Sequence, residues 1–159
     1  MPPQPTFDLQ AAHKYFSATC FNKTWEYIEK AERNAEENDA MLASTLASLW
    51  HWMQRDDCQP QNLPIGYWQV SRVYALIGDT ANARHFGQRS LELGQAGGVE
   101  PAFIGFAYEA LARAEFIAGN RNKAQEYLRE ARRWAEQVDD AEDKELLAKD
   151  LDGLENLKS

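Results

Sequence analysis

Sliding the chain against itself by 41 positions lays Gly78 on Gly119, and with it Tyr67 on Tyr108, Arg72 on Arg113 and Ala83 on Ala124. Conservative matches fill the interval: Val70 with Leu111, Ser71 with Ala112, Asp79 with Asn120, Phe86 with Tyr127 and Ser90 with Ala131. An internal period of roughly 20 to 50 residues marks stacked supersecondary units, each too small to bury its own apolar face. The units here are helical. Strong helix formers dominate, Gly and Pro fall in clusters, and no stretch keeps the period-two alternation of a strand between turns. The spacing therefore predicts an all-α stack.

Punctuation sets the expected boundaries within one domain, 1–159, since 159 residues is the size of an ordinary single core. "MPPQP" reads as a short disordered lead. A first hairpin is expected over 7–37, with "FNK" (21–23) separating its two helices. Asp39 then caps a helix over 39–54, where Leu42, Leu46, Leu49, Trp50 and Met53 form an apolar face at helical spacing. The segment 55–63, "RDDCQPQNL", has two flanking or internal prolines and no periodicity. Nine extended residues reach about 30 Å, enough to run back along the stack in place of a helix. Pro64 opens a repeat over 64–97 that turns at Gly78-Asp79, and Pro101 opens a second over 101–138 that turns at Gly119-Asn120. Asp140 caps a last, acidic helix over 141–157 with the stripe Leu147, Leu151, Leu154, the expected end cap of the stack.

"YWQVSRVY" resembles the opening of a tetratricopeptide repeat, with Tyr67, Val70, Ser71 and Tyr74 at the aromatic, large, small and aromatic positions. Gly78, Asp79, Ala83 and Leu91 continue the match, and Tyr108, Leu111, Ala112, Gly119 and Ala124 repeat it. Glu115 stands where an aromatic is usual and Gly87 where a large residue is. The first hairpin fits only at Tyr15 and Ala31. The resemblance implies a right-handed stack of antiparallel helical hairpins, a tetratricopeptide-like α-solenoid. "HKYFSATCFNKTW" together with "YWQVSRVYA" further resembles a group of small bacterial tetratricopeptide-like proteins without assigned function. Close stacking has its own signal: Ala83, Gly87, Ser90 and Gly94 put only small side chains on one helix face.

Opposite the packing face, Trp68 and Arg72 share a side of their helix, and the matching positions one repeat later are Glu109 and Arg113, with Phe106 beside them. In the family resembled, this side lines a concave groove. Aromatic and Arg side chains are the usual anchors of a binding surface. The expected function is a non-enzymatic module that holds a protein or peptide segment on Trp68, Arg72, Phe106, Glu109 and Arg113. A plainer reading is that Arg72 stacks on Trp68 and pairs with Glu109, linking repeats without a ligand. The rival function is a small-molecule binder or enzyme in which His13, His51, Arg72 and Arg113 surround an anionic ligand. It requires the first helices to bring both histidines to the arginines.

Composition narrows the partners. Asp and Glu outnumber Lys and Arg by 25 to 17, a formal net charge of -8, so nucleic acid and anionic lipid are repelled. No run approaches the ~18 apolar residues of a membrane span, and "MPPQPTFDLQ" has no secretory pattern, which points to the cytoplasm. His13, Cys20, His51, Cys58 and His85 form neither an i, i+4 histidine pair nor a Cys-x-x-Cys unit, so no metal and no cofactor is expected. A homodimer is the other assembly that the uncovered end of a short stack admits.

Overall fold

The computed structural model describes residues 3 and 5–157; most of the expected disordered lead lies outside them. Among the described residues there are seven α-helices and no strand: α1 Leu9–Ile28, α2 Ala35–Met53, α3 Asn62–Leu76, α4 Thr80–Gln95, α5 Pro101–Ile117, α6 Arg121–Ala135 and α7 Ala141–Asn156. Each of the first six packs on the next, α3 also meets α5, and α7 lies on α5 and α6.

The 41-residue repeat holds at the level of single hydrogen bonds. Gly78 and Gly119 both take positive φ, 83° and 80°, which only glycine adopts without strain. The Asp79 N–H donates to Tyr74 O at 2.9 Å and the Gly78 N–H to Ala75 O at 3.1 Å; one repeat later Asn120 donates to Glu115 O at 2.9 Å and Gly119 to Phe116 O at 3.1 Å. Both turns are the same six-to-one, five-to-two helix stop. The small-residue face of α4 also does what its pattern implies. A Cβ on Gly87 would stand 3.1 Å from Leu111 Cδ2 and 3.2 Å from Ser71 Oγ, and one on Gly94 3.3 Å from Ile104. Ser71 and Ser90 hydroxyls donate to Ala83 O at 2.7 Å and Pro64 O at 2.8 Å, so α4 is pinned against α3 as well as close to α5. Gly87, out of pattern by sequence, is thus the residue that lets three helices meet.

The first third of the chain differs from its expected layout. Residues 21–23 do not separate two helices but lie inside α1. Phe21-Asn22-Lys23 has neither Gly nor Pro, and an Asn costs a helix at most about 0.7 kcal/mol. Against that, Thr24 Oγ1 donates to Cys20 O at 2.9 Å and the Phe21 and Trp25 rings, one turn apart, stand 6.4 Å centroid to centroid. The true stop comes at 29–34. Arg33 Nη1 donates to Tyr27 O and Lys30 O, both at 3.1 Å, and Asn34 with Glu37 forms a reciprocal capping box at 2.8 and 3.1 Å. The expected hairpin over 7–37 and the Asp39 cap therefore give way to a longer α1 packed on a longer α2. Nor does 55–63 run back along the stack. Arg55 pairs with Asp57 at 2.8 Å, Asn62 Oδ1 accepts from Gln59 N at 2.7 Å, and the Asp56 N–H donates to Gln10 Oε1 at 3.1 Å. These bonds gather the segment into turns beside the start of α1. On α2, the buried stripe is Met41, Thr45, Ser48 and Leu49; Trp50 and Met53, expected in the core, are exposed.

α7 is more than a solvated end cap. Leu147, Leu151 and Leu154 are fully buried, and Leu147 presses on Gly105, where a Cβ would come within 2.5 Å of its Cδ2. Removing three leucines from water supplies several kcal/mol at about 2 kcal/mol each, which holds α7 down on α5 and α6.

Candidate functional site

α3 and α5 run side by side and form a floor, with α1 on one flank and α7 on the other. Trp68 of α3 and Glu109 of α5 occupy equivalent positions of the two repeats, and they meet: the indole Nε1–H donates to Glu109 Oε2 at 2.8 Å. Arg113, one turn after Glu109, grips the other oxygen, Oε1, through Nε at 2.8 Å and Nη2 at 2.5 Å. Glu109 has no exposed surface. Burial by itself would raise its carboxyl pKa, but the Arg113 and Arg72 charges and the bonds from Trp68 and Arg113 outweigh it, and the carboxyl sits below the ordinary glutamate range. Glu109 and Arg113 are therefore a closed internal pair.

Arg72 is differently placed. Its guanidinium lies 5.3 Å from the Trp25 ring of α1 and 5.8 Å from the Trp68 ring. Asp150 Oδ2 of α7 approaches Nη1 to 2.9 Å, an ion pair across the α3–α7 contact. Nε and Nη1 are closed off from solvent; Asp150 is the partner of Nη1, and Nε has no hydrogen bond among the described residues. Burial, then the Glu109 charge, push the Asp150 carboxyl up, while Arg72 pulls it back.

Between the flanks a cleft of about 570 Å³ remains, within the range of small-ligand sites. Its walls are apolar: Phe21, Trp25 and Ile28 from α1, Ile65 and Trp68 from α3, Phe106 from α5 and Leu146 from α7. The Trp68 ring stands 5.7 Å from Trp25 and 5.1 Å from Phe106, a continuous aromatic floor. The charged lining residues are Arg72 and Lys149 against Glu29, Asp143 and Asp150. α1 and α7 do not pack on each other; Arg72 touches both.

Of the five groove residues expected, the structure brings Trp68, Arg72 and Phe106 together at the cleft, while Glu109 and Arg113 do not line it. The expected open concave face is covered because α1, longer than foreseen, lays Trp25 over it and α7 lays Asp150 over it. The plainer reading differs in its ion pair: Arg113, one turn away on the same helix, holds Glu109, and Arg72 takes Asp150 of α7. Trp25, Leu146 and Asp150 were missed. They carry no local motif, and only the tertiary path of α1 and α7 delivers them.

His13 and His51 do come together, with their Nδ1 atoms 2.8 Å apart, so one ring donates its proton and the other accepts. They pack among Trp50 and Phe16 and do not line the cleft. His13 and Trp25 are twelve residues apart on α1, roughly 18 Å along its axis. The arrangement the rival function needs, both histidines beside Arg72, is absent among the described residues. No group of three or more His, Cys, Asp or Glu able to hold a metal occurs among them, and none of their helices is long and apolar enough to cross a membrane. The chain matches no protein-family model, and no curated protein or solved structure is similar to it.

Proposed function

We propose that this chain is a tetratricopeptide-like binding module, a short stack of antiparallel helix pairs closed by α7, that holds a peptide segment by an apolar side chain in the cleft between α1 and α7. The observation that supports it is the cleft itself: about 570 Å³, walled by aromatic and aliphatic side chains, with the Arg72–Asp150 pair among its lining.

Display of random peptides on the folded chain tests the reading. The native chain is expected to enrich a consensus with one large apolar anchor, and Ile65→Trp, which fills the cleft without touching the Glu109 network, is expected to lose it. No consensus, or the same consensus on both proteins, refutes the assignment.

A further inference from the structure

The charges around Arg72 define the polar half of the occupant, granted that the cleft binds a segment as proposed above. Asp150 stands 2.9 Å from Arg72 and balances it. Beneath them Arg113 and Glu109 cancel. The remaining charged residues of the lining are Lys149 against Glu29 and Asp143, and the whole chain carries -8. A carboxylate entering the cleft meets no net positive field and must dislodge Asp150 or lie beside it, an arrangement of like charges that interfaces avoid. A neutral carbonyl meets neither obstacle. It accepts from an N–H of the Arg72 guanidinium without bringing charge, so Asp150 keeps its place beside Arg72.

We propose that the cleft recognises an apolar side chain flanked by an uncharged acceptor, a main-chain carbonyl within a peptide segment, and discriminates against carboxylates, whether a chain end or an acidic residue. Asp150 is the specificity-determining residue. It is a counter-charge supplied by the protein itself, in the place a ligand's carboxylate would otherwise take.

Two probes of nearly one shape decide this: N-acetyl-phenylalaninamide, neutral, and N-acetyl-phenylalanine, anionic at neutral pH. Each is titrated into the full chain, following the indole N–H resonances of Trp25 and Trp68. The amide is expected to bind about tenfold tighter than the carboxylate, the scale of one unfavourable charge contact. In Asp150→Asn, Arg72 loses its counter-charge and the order is expected to close or reverse. Equal binding or tighter binding of the carboxylate by the native chain overturns the inference and leaves the cleft as a binding site. So does a folded Asp150→Asn that keeps the native preference. No shift of either indole with either probe overturns the binding reading as well. The native chain alone decides the sign of the preference, so the test survives an Asp150→Asn protein that does not fold.

Discussion

The two halves of this molecule solve the same packing problem with different chemistry. Between α3 and α6 the seams are mostly small and apolar: Ala83, Ala107, Ala110, Ala114, Ala124 and Ala131 are buried, with Gly87 and Gly94 where backbones come closest and Ser71, Ser90 and Glu115 as the polar insertions. Between α1, α2 and α3 the buried stripe is polar. Ser48 Oγ donates to Ser17 O at 2.7 Å, Thr45 Oγ1 to Gln69 Oε1 at 3.0 Å, and Gln69 Nε2 to Phe21 O at 3.1 Å. His13 and His51 close the far end of that seam. An apolar seam is nondirectional and depends on volume; a polar one depends on which atom meets which, and each bond nets only about 1 kcal/mol. The repeats are therefore expected to respond to added bulk and the first pair to lost partners.

Glu109 sets the top of the scale, a fully buried charged network inside the mostly apolar half. Glu109→Ala leaves Arg113 almost buried without its carboxylate and Trp68 without its acceptor. A loss of about 3–5 kcal/mol is expected in chemical denaturation, the usual result of removing one partner of a buried pair. Next comes bulk: Gly87→Val forces atoms into Leu111 and Ser71 and is expected to cost about 3 kcal/mol. The mirror experiment, Ser48→Ala, adds no bulk and removes one bond. It is expected to cost about 1 kcal/mol, because Ser17 O, inside α1, keeps its own helical partner. If Ser48→Ala proves the costlier of the two, the contrast between the seams is wrong.

The same contrast explains how much could be read from the residues. The repeats announced themselves because their signals are local or periodic: the two glycine turns, Pro64 and Pro101, and the small stripe from Ala83 to Gly94. All recur in the structure within a residue or two. The first pair did not, because a search for apolar stripes passes over Ser17, Thr24, Thr45 and Ser48. Leu42, Leu46, Trp50 and Met53 mark another face of α2. One signal was present and passed over: Asn34 with Glu37 is a capping box three residues apart. The cleft divided along the same line. Trp68, Arg72 and Phe106 follow from repeat register, whereas Trp25 and Asp150 arrive from helices whose placement no periodicity encodes.

Acid separates the halves more gently. Burial and then the His13 charge hold His51 below the ordinary histidine value of 6.5, so the unfolded chain takes up protons there first and stability falls as pH drops below that value. Glu109, held below its ordinary 4.5, contributes stability that is fully present above 4.5 and lost only as pH falls below it. Asp150 has the opposite sign: its carboxyl is raised, so protonating it on the way down does not weaken the fold. At about pH 5.5 the α1–α2 pair is expected to loosen while α3–α6 stay closed. Hydrogen exchange corrected for intrinsic rates reads this directly; faster exchange in α3–α6 first would place the acid-sensitive group elsewhere.

The smallest expected effect carries the most information about α2. Helical spacing puts Met53 in one stripe with Leu42, Leu46 and Leu49, and a methionine truly in that core would cost about 2–5 kcal/mol to truncate. In the structure Met53 is 43% exposed, beyond the buried stripe and at the last turn of the helix. Met53→Gln is therefore expected to change stability by no more than about 0.5 kcal/mol, the range of an ordinary surface position. A loss of several kcal/mol would mean that α2 turns its apolar face inward. The polar seam would then dissolve, because the rotation that buries Met53 carries Ser48 away from Ser17.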